Sequence, residues 1–201
     1  MVDPDGREAL NSASLTPFGQ FVYGFIVRYA HSVVDILKGY SNPEKILALN
    51  YPFAANEVSK AADDASKCTN LLFRTTDGTA PTDADGSVAN AYKHAMWNAL
   101  MTKRNGVNVA EAFATAHESR QIGNPNPYRG RTEADHAEMD LYYNNVGRTV
   151  AIANPDVSEG ELAMLVLGAV LTDQSAVLNG GAELDYQKLL LLVAGGNTLD
   201  F

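Results

Sequence analysis

The sequence predicts an all-α fold, a single-domain helical bundle of about six to seven helices over residues 1–201. Three observations predict it. Apolar residues recur at three- and four-residue steps along most of the chain, strand-like alternation is scarce, and short groups of Gly, Pro, Asn and Asp separate the periodic segments. The sequence contains no internal repeat and no linker long enough to divide domains. A chain of this length can bury well over half of its unfolded surface in one core.

The N-terminal part of the chain predicts two helical regions followed by a loop. Pro17, preceded by a threonine that suits an N-cap, indicates the start of a long first helix. A second helical region is expected from about residue 43 to residue 73, with a break before Pro52. Residues 75–86 (TTDGTAPTDADG) have turn chemistry throughout and predict a surface loop.

The C-terminal part predicts four further helices and a short leucine-rich one. The four are expected over residues 87–103, 108–119, 132–153 and 158 to about 178. A loop with the sequence N-P-N-P-Y-R-G-R separates the second from the third, since its two prolines forbid a helix. The motif S-E-G-E at residues 158–161 has the spacing of a capping box and indicates where the last of the four begins.

Composition excludes several classes of protein. The net charge of −9 argues against a nucleic-acid groove, because binding phosphates needs clustered Lys and Arg. Cys68 is the only cysteine, so an intramolecular disulfide and a Cys-rich zinc module are excluded, and we expect a buried, inert thiol. No apolar run is long enough to cross a membrane, and the N-terminus lacks the pattern of a signal peptide. We therefore expect a soluble protein, either cytoplasmic or exported by a route that needs no signal peptide.

Polar and ionisable residues interrupt the predicted helices between residues 87 and 153, where three of the four histidines lie. A buried polar group without a partner costs about 1–3 kcal/mol, so such groups must be paired. The segment therefore contains either a structural hydrogen-bond network or a functional site between helices.

Two predicted helices of this segment carry polar residues at helical spacing. His94 and Asn98 are four residues apart and share a helix face. The next polar stripe, on the 132–153 helix, consists of His136, Asp140, Asn144 and Arg148. One interpretation is the solvated side of that helix. The residue types favour a site instead, because a solvated face usually carries Lys and Glu.

His117 ends an alanine-rich apolar stripe on the 108–119 helix. In the structural interpretation it is either a core-facing histidine with one hydrogen bond or a cation at the C-terminus of the helix, and the adjacent Glu118 faces solvent. In the functional interpretation, His117 or Glu118 meets His94 and Asp140 across a helix interface, as in bundle proteins that build sites from facing helices.

Two chemistries suit this set of residues. His with Asp or Glu can bind zinc or another divalent ion, for which His94, His117 and Asp140 are the candidate ligands. Without a metal, a histidine oriented by a carboxylate can act as a general base. The chain has no H-E-x-x-H, C-x-x-C, G-x-S-x-G or phosphate-loop motif that would decide between them. Arg129, Arg131 and Arg148 suit a phosphate or carboxylate, although pairing with acidic residues of the next helix explains the first two equally well.

Residues 90–148 also resemble a known family. The run NAYKHAMWNALMT, followed by AHE and then MDLYYNNVGR, is similar to an uncharacterised bacterial domain with R-H-A-x-W-N-A, A-H-E and M-D-L-x-N-N-x-x-G-R blocks. That domain often stands at the C-terminal end of secreted or toxin-like proteins. The chain departs from the pattern at Lys93, where arginine is expected, and at Tyr143, where a histidine often stands. The matching positions are His94, Trp97, Asn98, His117, Glu118, Asp140, Asn144, Asn145, Gly147 and Arg148.

The leading hypothesis is an effector-like hydrolase that acts on a small or lipid-like anionic substrate, a phosphoester or a phospholipid. The alternative is a non-enzymatic helical binding or structural module with a buried polar network. Under the first hypothesis the cofactor is either a divalent metal ion or none. The expected catalytic residues are His94, His117, Glu118 and Asp140, and the expected substrate-binding residues are Asn98, Asn144, Asn145, Arg148, Arg129 and Arg131.

Overall fold

A computed structural model describes residues 17, 20, 42–75, 85–119, 132–178 and 182–194. Apart from the helical Pro17 and Gln20, these residues belong to one unit that spans residues 40–201. The predicted long first helix and the arginine-containing loop therefore lie almost entirely outside the described residues. The predicted single domain over residues 1–201 stays a prediction.

The first two described helices are α1 (Asn42–Asn50) and α2 (Pro52–Leu72). The expected break falls at Tyr51, which has non-helical backbone angles (φ −130°, ψ 62°), and proline begins α2. The buried side of α2 consists of small and aliphatic residues at helical spacing: Ala55, Val58, Ala61, Ala65, Cys68 and Leu72. This spacing turns one face of α2 onto its neighbours.

The next helices are α3 (Val88–Asn105) and α4 (Val107–Glu118). The Ser87 hydroxyl accepts a hydrogen bond from the Asn90 backbone N–H and caps α3. Gly106, with φ +86°, makes the sharp turn between the two helices, a conformation that favours glycine. Helix α3 is buried from Val88 to Met101 except at Lys93, and it packs against helices on several sides. It is the central helix of the described unit.

Two capped helices follow, α5 (Glu133–Ala153) and α6 (Glu159–Thr172). Both begin with a capping box, and the one formed by Ser158 and Glu161 was predicted from the sequence. The predicted extension of the last of these helices to about residue 178 is wrong. Asp173 adopts extended angles, and its carboxylate accepts a hydrogen bond from the Ser175 backbone N–H at 3.0 Å, so a local turn replaces the next helical turn.

Two short strands, which the sequence did not predict, connect distant parts of the chain. Strands β1 (Phe73–Thr75) and β2 (Ala182–Leu184) pair antiparallel, with Phe73 opposite Leu184. The closing helix α7 (Tyr186–Ala194) follows β2. Three residues are too few for a recognisable alternation. The all-α class is confirmed, with seven helices and this two-stranded sheet in the described ranges.

Helices α5 and α3 approach each other closely at Gly147. A Cβ atom added at Gly147 would lie 1.9 Å from the backbone oxygen of Ala95, so only glycine fits there. This contact brings the polar stripes of the two helices together. None of the helices in the described ranges is both long and apolar enough to cross a membrane.

Candidate functional site

Three ionisable side chains from three helices meet in the interior of the described unit. They are His94 from α3, Glu118 from the last turn of α4 and Asp140 from α5, and they are 6%, 0% and 2% exposed. His94 Nδ1 lies 3.4 Å from Glu118 Oε1, and His94 Nε2 lies 3.4 Å from Asp140 Oδ1. One imidazole thus faces a carboxylate with each of its nitrogens. We call these three residues the buried cluster.

Burial and neighbouring negative charge act together on Asp140. Desolvation raises the pKa of its carboxyl well above the usual value, and the charges of Glu118 and Asp85 raise it further. Lys93 and a hydrogen bond from Asn90 Nδ2 to Asp140 Oδ1, at 3.0 Å, act in the opposite direction but are weaker. Two carboxylates so close together in the interior favour any proton or cation that reduces their joint charge.

A chain of amide hydrogen bonds extends from the buried cluster along the α3–α5 contact. Asn144 Nδ2 donates to Glu118 Oε1 at 3.3 Å, and Asn98 Nδ2 donates to Asn144 Oδ1. Arg148 donates to Asn98 Oδ1 at 2.9 Å, and burial lowers the pKa of its guanidinium. These bonds link α3, α4 and α5 through side chains alone. We call this series of hydrogen bonds, from Glu118 through Asn144 and Asn98 to Arg148, the amide chain.

A pocket of about 280 Å³ opens beside the buried cluster. Its lining residues are Ala62, Ser66, Lys93, His94, Trp97 and His117. His94 is the member of the buried cluster that reaches the wall. The Trp97 indole is fixed by a hydrogen bond from Nε1 to the Val58 backbone oxygen at 3.2 Å.

His117 stands in the pocket wall with a carboxylate behind it. Its Nδ1 lies 2.8 Å from Oε1 of Glu44 on α1, and Glu44 is 1% exposed. The His117 ring packs edge-on against Trp97 with centroids 5.1 Å apart, and its centroid is 6.4 Å from that of His94. The side chain of His117 is 24% exposed, and the residue lines the pocket. We call Glu44 and His117 the pocket pair.

The structure decides between the alternatives that the sequence left open for α4 and α5. Of the two alternatives for α4, it is Glu118 that meets His94 and Asp140, whereas His117 belongs to the pocket pair. The core-facing alternative for His117, which placed Glu118 in solvent, is wrong, because Glu118 is fully buried and His117 is partly exposed. His117 does lie in the last turn of α4, as the alternative of a cation at a helix C-terminus requires. The solvated-face interpretation of α5 is also wrong, since Asp140 and Asn144 are 2% and 0% exposed.

The remaining candidates are more dispersed. Asn98, Asn144 and Arg148 join the amide chain and do not line the pocket, and Asn145 is exposed on α5. Arg129 and Arg131 lie outside the described residues. Cys68 is buried as expected, and desolvation raises the pKa of its thiol to about 12.

Sequence reasoning missed Glu44, Ser66 and Asn90 as parts of this region. Asn90 had a usable signal, because it is four residues before His94, the same spacing that linked His94 to Asn98. Glu44 had none, since 73 residues separate it from His117.

The chain belongs to a family of domains of unknown function, DUF6973, whose model matches residues 45–174. The buried cluster, the amide chain and the pocket-lining residues among those that the structure describes lie inside the match. Glu44 stands one residue before its start. No curated protein and no solved structure matches the chain.

Proposed function

We propose that this protein is a hydrolase of small anionic esters, in which His117 acts as general base and Glu44 orients it. One observation carries the proposal. A partly exposed imidazole forms part of the pocket wall while its Nδ1 lies 2.8 Å from a carboxylate that is 1% exposed. An imidazole that lies in a pocket wall and is oriented by a buried carboxylate has the arrangement of a general base.

The tautomer that suits this role has its proton on Nδ1. That N–H donates to Glu44 Oε1, and Nε2 is then the nitrogen that would accept a proton from water in the reaction. As the imidazole gains that proton it becomes a cation, which the carboxylate of Glu44 stabilises. Because Glu44 is buried, its position is set by packing, and the ring orientation follows from it.

The other wall residues favour a small substrate with negative charge. Lys93 provides a cation in a chain whose net charge is −9, and Ser66 provides a hydroxyl for a hydrogen bond. Trp97 gives the pocket a rigid apolar side. A volume of about 280 Å³ is at the small end for ligand pockets, which suits a phosphoester group or the headgroup of a larger molecule. We assign anion binding to Lys93 in place of Arg148, because Lys93 lines the pocket whereas Arg148 donates to Asn98.

Three chromogenic esters test this proposal: p-nitrophenyl phosphate, bis(p-nitrophenyl) phosphate and p-nitrophenyl acetate. We expect hydrolysis of a phosphoester, and phospholipid vesicles then show whether a lipid headgroup is accepted. His117→Ala should lower kcat by about 100-fold or more, the contribution typical of a general base. Glu44→Gln should lower kcat less, because it misorients the base without removing it. Lys93→Ala should raise KM.

Glu111→Gln, an exposed change on the same helix as His117, is the matched control and should leave the kinetics unchanged. Absence of turnover with both phosphoesters, whether or not the uncharged acetate is hydrolysed, or a His117→Ala variant as active as the wild type, would overturn the proposal. The effector-like role suggested by the resemblance of residues 90–148 is a further part of this proposal, and it fails with it.

A non-enzymatic helical module is the second candidate. The observation that favours it is the continuity of the amide chain, in which Arg148, Asn98, Asn144 and Glu118 connect three helices through buried hydrogen bonds. Such a network fixes the register of helices. This candidate predicts no ester hydrolysis, and it predicts that substitutions in the network change stability alone.

A further inference from the structure

We propose that the buried cluster binds a divalent cation through His94, Glu118 and Asp140, with the side-chain oxygen of Asn90 as a fourth ligand. This site goes beyond the proposed hydrolase and does not depend on it. A cation bound there would also hold α3, α4 and α5 together in a protein without any enzymatic activity.

The geometry is close to that of a coordination shell. One ligand atom from each of the three residues lies within 4.8 Å of the other two. Opposite ligands of a divalent ion with bonds of about 2.1 Å are about 4.2 Å apart. The ligand atoms, at most 4.8 Å apart, are thus within about 0.6 Å of the separation of opposite ligands around such an ion.

Burial and charge favour the same conclusion. Glu118 and Asp140 are 0% and 2% exposed, and the two carboxylates face opposite nitrogens of one imidazole. Buried charges are stabilised by pairing or by coordination to a metal. A divalent cation would offset both negative charges at once.

Asn90 provides an independent observation. Its side chain is 0% exposed, and its Oδ1 has no hydrogen-bond partner among the residues that the structure describes. The same amide approaches Asp140 Oδ1 through Nδ2 at 3.0 Å, so Oδ1 is also beside the buried cluster. A buried carbonyl oxygen without a partner is unfavourable, and coordination to a cation would satisfy it.

The ligand types select the ion. Carboxylate and amide oxygens suit Mg²⁺, Ca²⁺ and Mn²⁺, whereas imidazole suits Zn²⁺ and other transition metals. A set with both kinds of ligand favours Mn²⁺ or Zn²⁺ over Mg²⁺ and Ca²⁺. His94 reaches the pocket wall, which gives the ion a path from solvent.

Calorimetric titration of the full-length protein, first stripped with EDTA, tests the site with MnCl₂, ZnCl₂, MgCl₂ and CaCl₂. We expect one Mn²⁺ or Zn²⁺ per chain and weaker binding of Mg²⁺ and Ca²⁺. Asp140→Asn and Glu118→Gln should each weaken binding by about tenfold or more, as loss of a ligand does. Glu138→Gln, an exposed change on α5, is the control and should bind like the wild type.

Two further readouts keep the result interpretable. Circular dichroism establishes that each variant is folded, and the visible spectrum of the Co²⁺-loaded wild type reports on its nitrogen and oxygen ligands without any substitution. No binding by the wild type, or unchanged affinity in either ligand variant, would overturn the site. Cation binding without ester hydrolysis would refute only the hydrolase, and hydrolysis without cation binding would refute only the metal site.

Discussion

The pocket pair and the buried cluster are both built from histidine and carboxylate, but they differ in exposure and in charge. In the pocket pair one carboxylate, Glu44, supports one partly exposed imidazole, and the ring forms part of a pocket wall. In the buried cluster two carboxylates surround one imidazole that is 6% exposed. The first arrangement places an imidazole in the wall of a pocket, and the second places one between two buried acidic groups. We therefore propose different tasks for similar residues, proton transfer in one place and cation binding in the other.

The largest effect is expected from breaking the backbone contact on which the buried cluster depends. In Gly147→Ala, the new Cβ would lie 1.9 Å from the Ala95 backbone oxygen, so α3 and α5 must separate. We expect a loss of about 3 kcal/mol or more in the free energy of unfolding, at or above the upper end for overpacking. Urea denaturation measures it.

Gly168→Ala on α6 is the matched control, since an added Cβ there meets nothing within 4 Å. It should be neutral or stabilise the protein by up to about 1 kcal/mol, because alanine favours helix over glycine. Equal stabilities for the two variants would show that α3 and α5 do not depend on a close contact at Gly147.

A second prediction compares how much the amide chain and the pocket wall contribute to the stability of the protein. Asn98→Ala removes a partner from both Asn144 and Arg148, and we expect a loss of about 2–3 kcal/mol, since buried polar groups lose their hydrogen bonds. Lys93→Ala, five residues earlier on α3, should change stability by about 0.5 kcal/mol or less. Thermal denaturation of the two variants measures the difference. Similar values for both would mean that the amide chain contributes no more than the pocket wall.

The smallest loss of stability is expected from replacing Arg104, which pairs with two carboxylates. Arg104, near the end of α3, donates to Glu159 Oε1 at 2.8 Å and to Asp64 Oδ2 at 2.9 Å. Burial raises the pKa of Asp64, but hydrogen bonds from Lys67 and Arg104 outweigh it and leave the pKa below its usual value of 3.8. Arg104→Gln should cost about 1–2 kcal/mol at pH 7, between the values for exposed and buried ion pairs.

The pH dependence of that cost follows from the direction of the shift. A carboxylate whose pKa is lower in the folded state stabilises the fold above its unfolded pKa, and this stabilisation is lost as pH falls through the folded pKa. The difference between wild type and Arg104→Gln should therefore shrink from pH 5 to pH 2, as urea denaturation at each pH will show. A constant difference would show that Arg104 does not contribute to the lowered pKa of Asp64.

Local sequence patterns were enough to predict most of the helices but not the contacts between them. The capping box at Ser158 involves residues three apart, and it was predicted because a side chain and the nearby backbone determine it. The end of α6 was mispredicted because Asp173 forms a hydrogen bond to Ser175 that competes with an apolar run. Intrinsic preferences of single residues do not include such competition.

The same limit applies to the site. The shared face of His94 and Asn98 follows from helical spacing alone, and so does the stripe that contains Asp140. Which of His117 and Glu118 turns inward depends on how α4 packs, and the sequence did not decide it. Glu44 reaches His117 only through the packing of α1 against α4, which no local pattern reports.

The pairing of β1 with β2 limits where the domain can be truncated for expression. The family match ends at residue 174, whereas β2 begins at Ala182 and the Asp185 backbone N–H donates to the Leu72 oxygen at 2.7 Å. A truncation at the edge of the match would remove the partner of β1 and expose Phe73, which is 1% accessible in the intact chain. An unpaired strand with an aromatic side chain promotes aggregation. The folding unit is therefore longer than the segment by which its relatives are recognised, and expression trials should extend at least through α7.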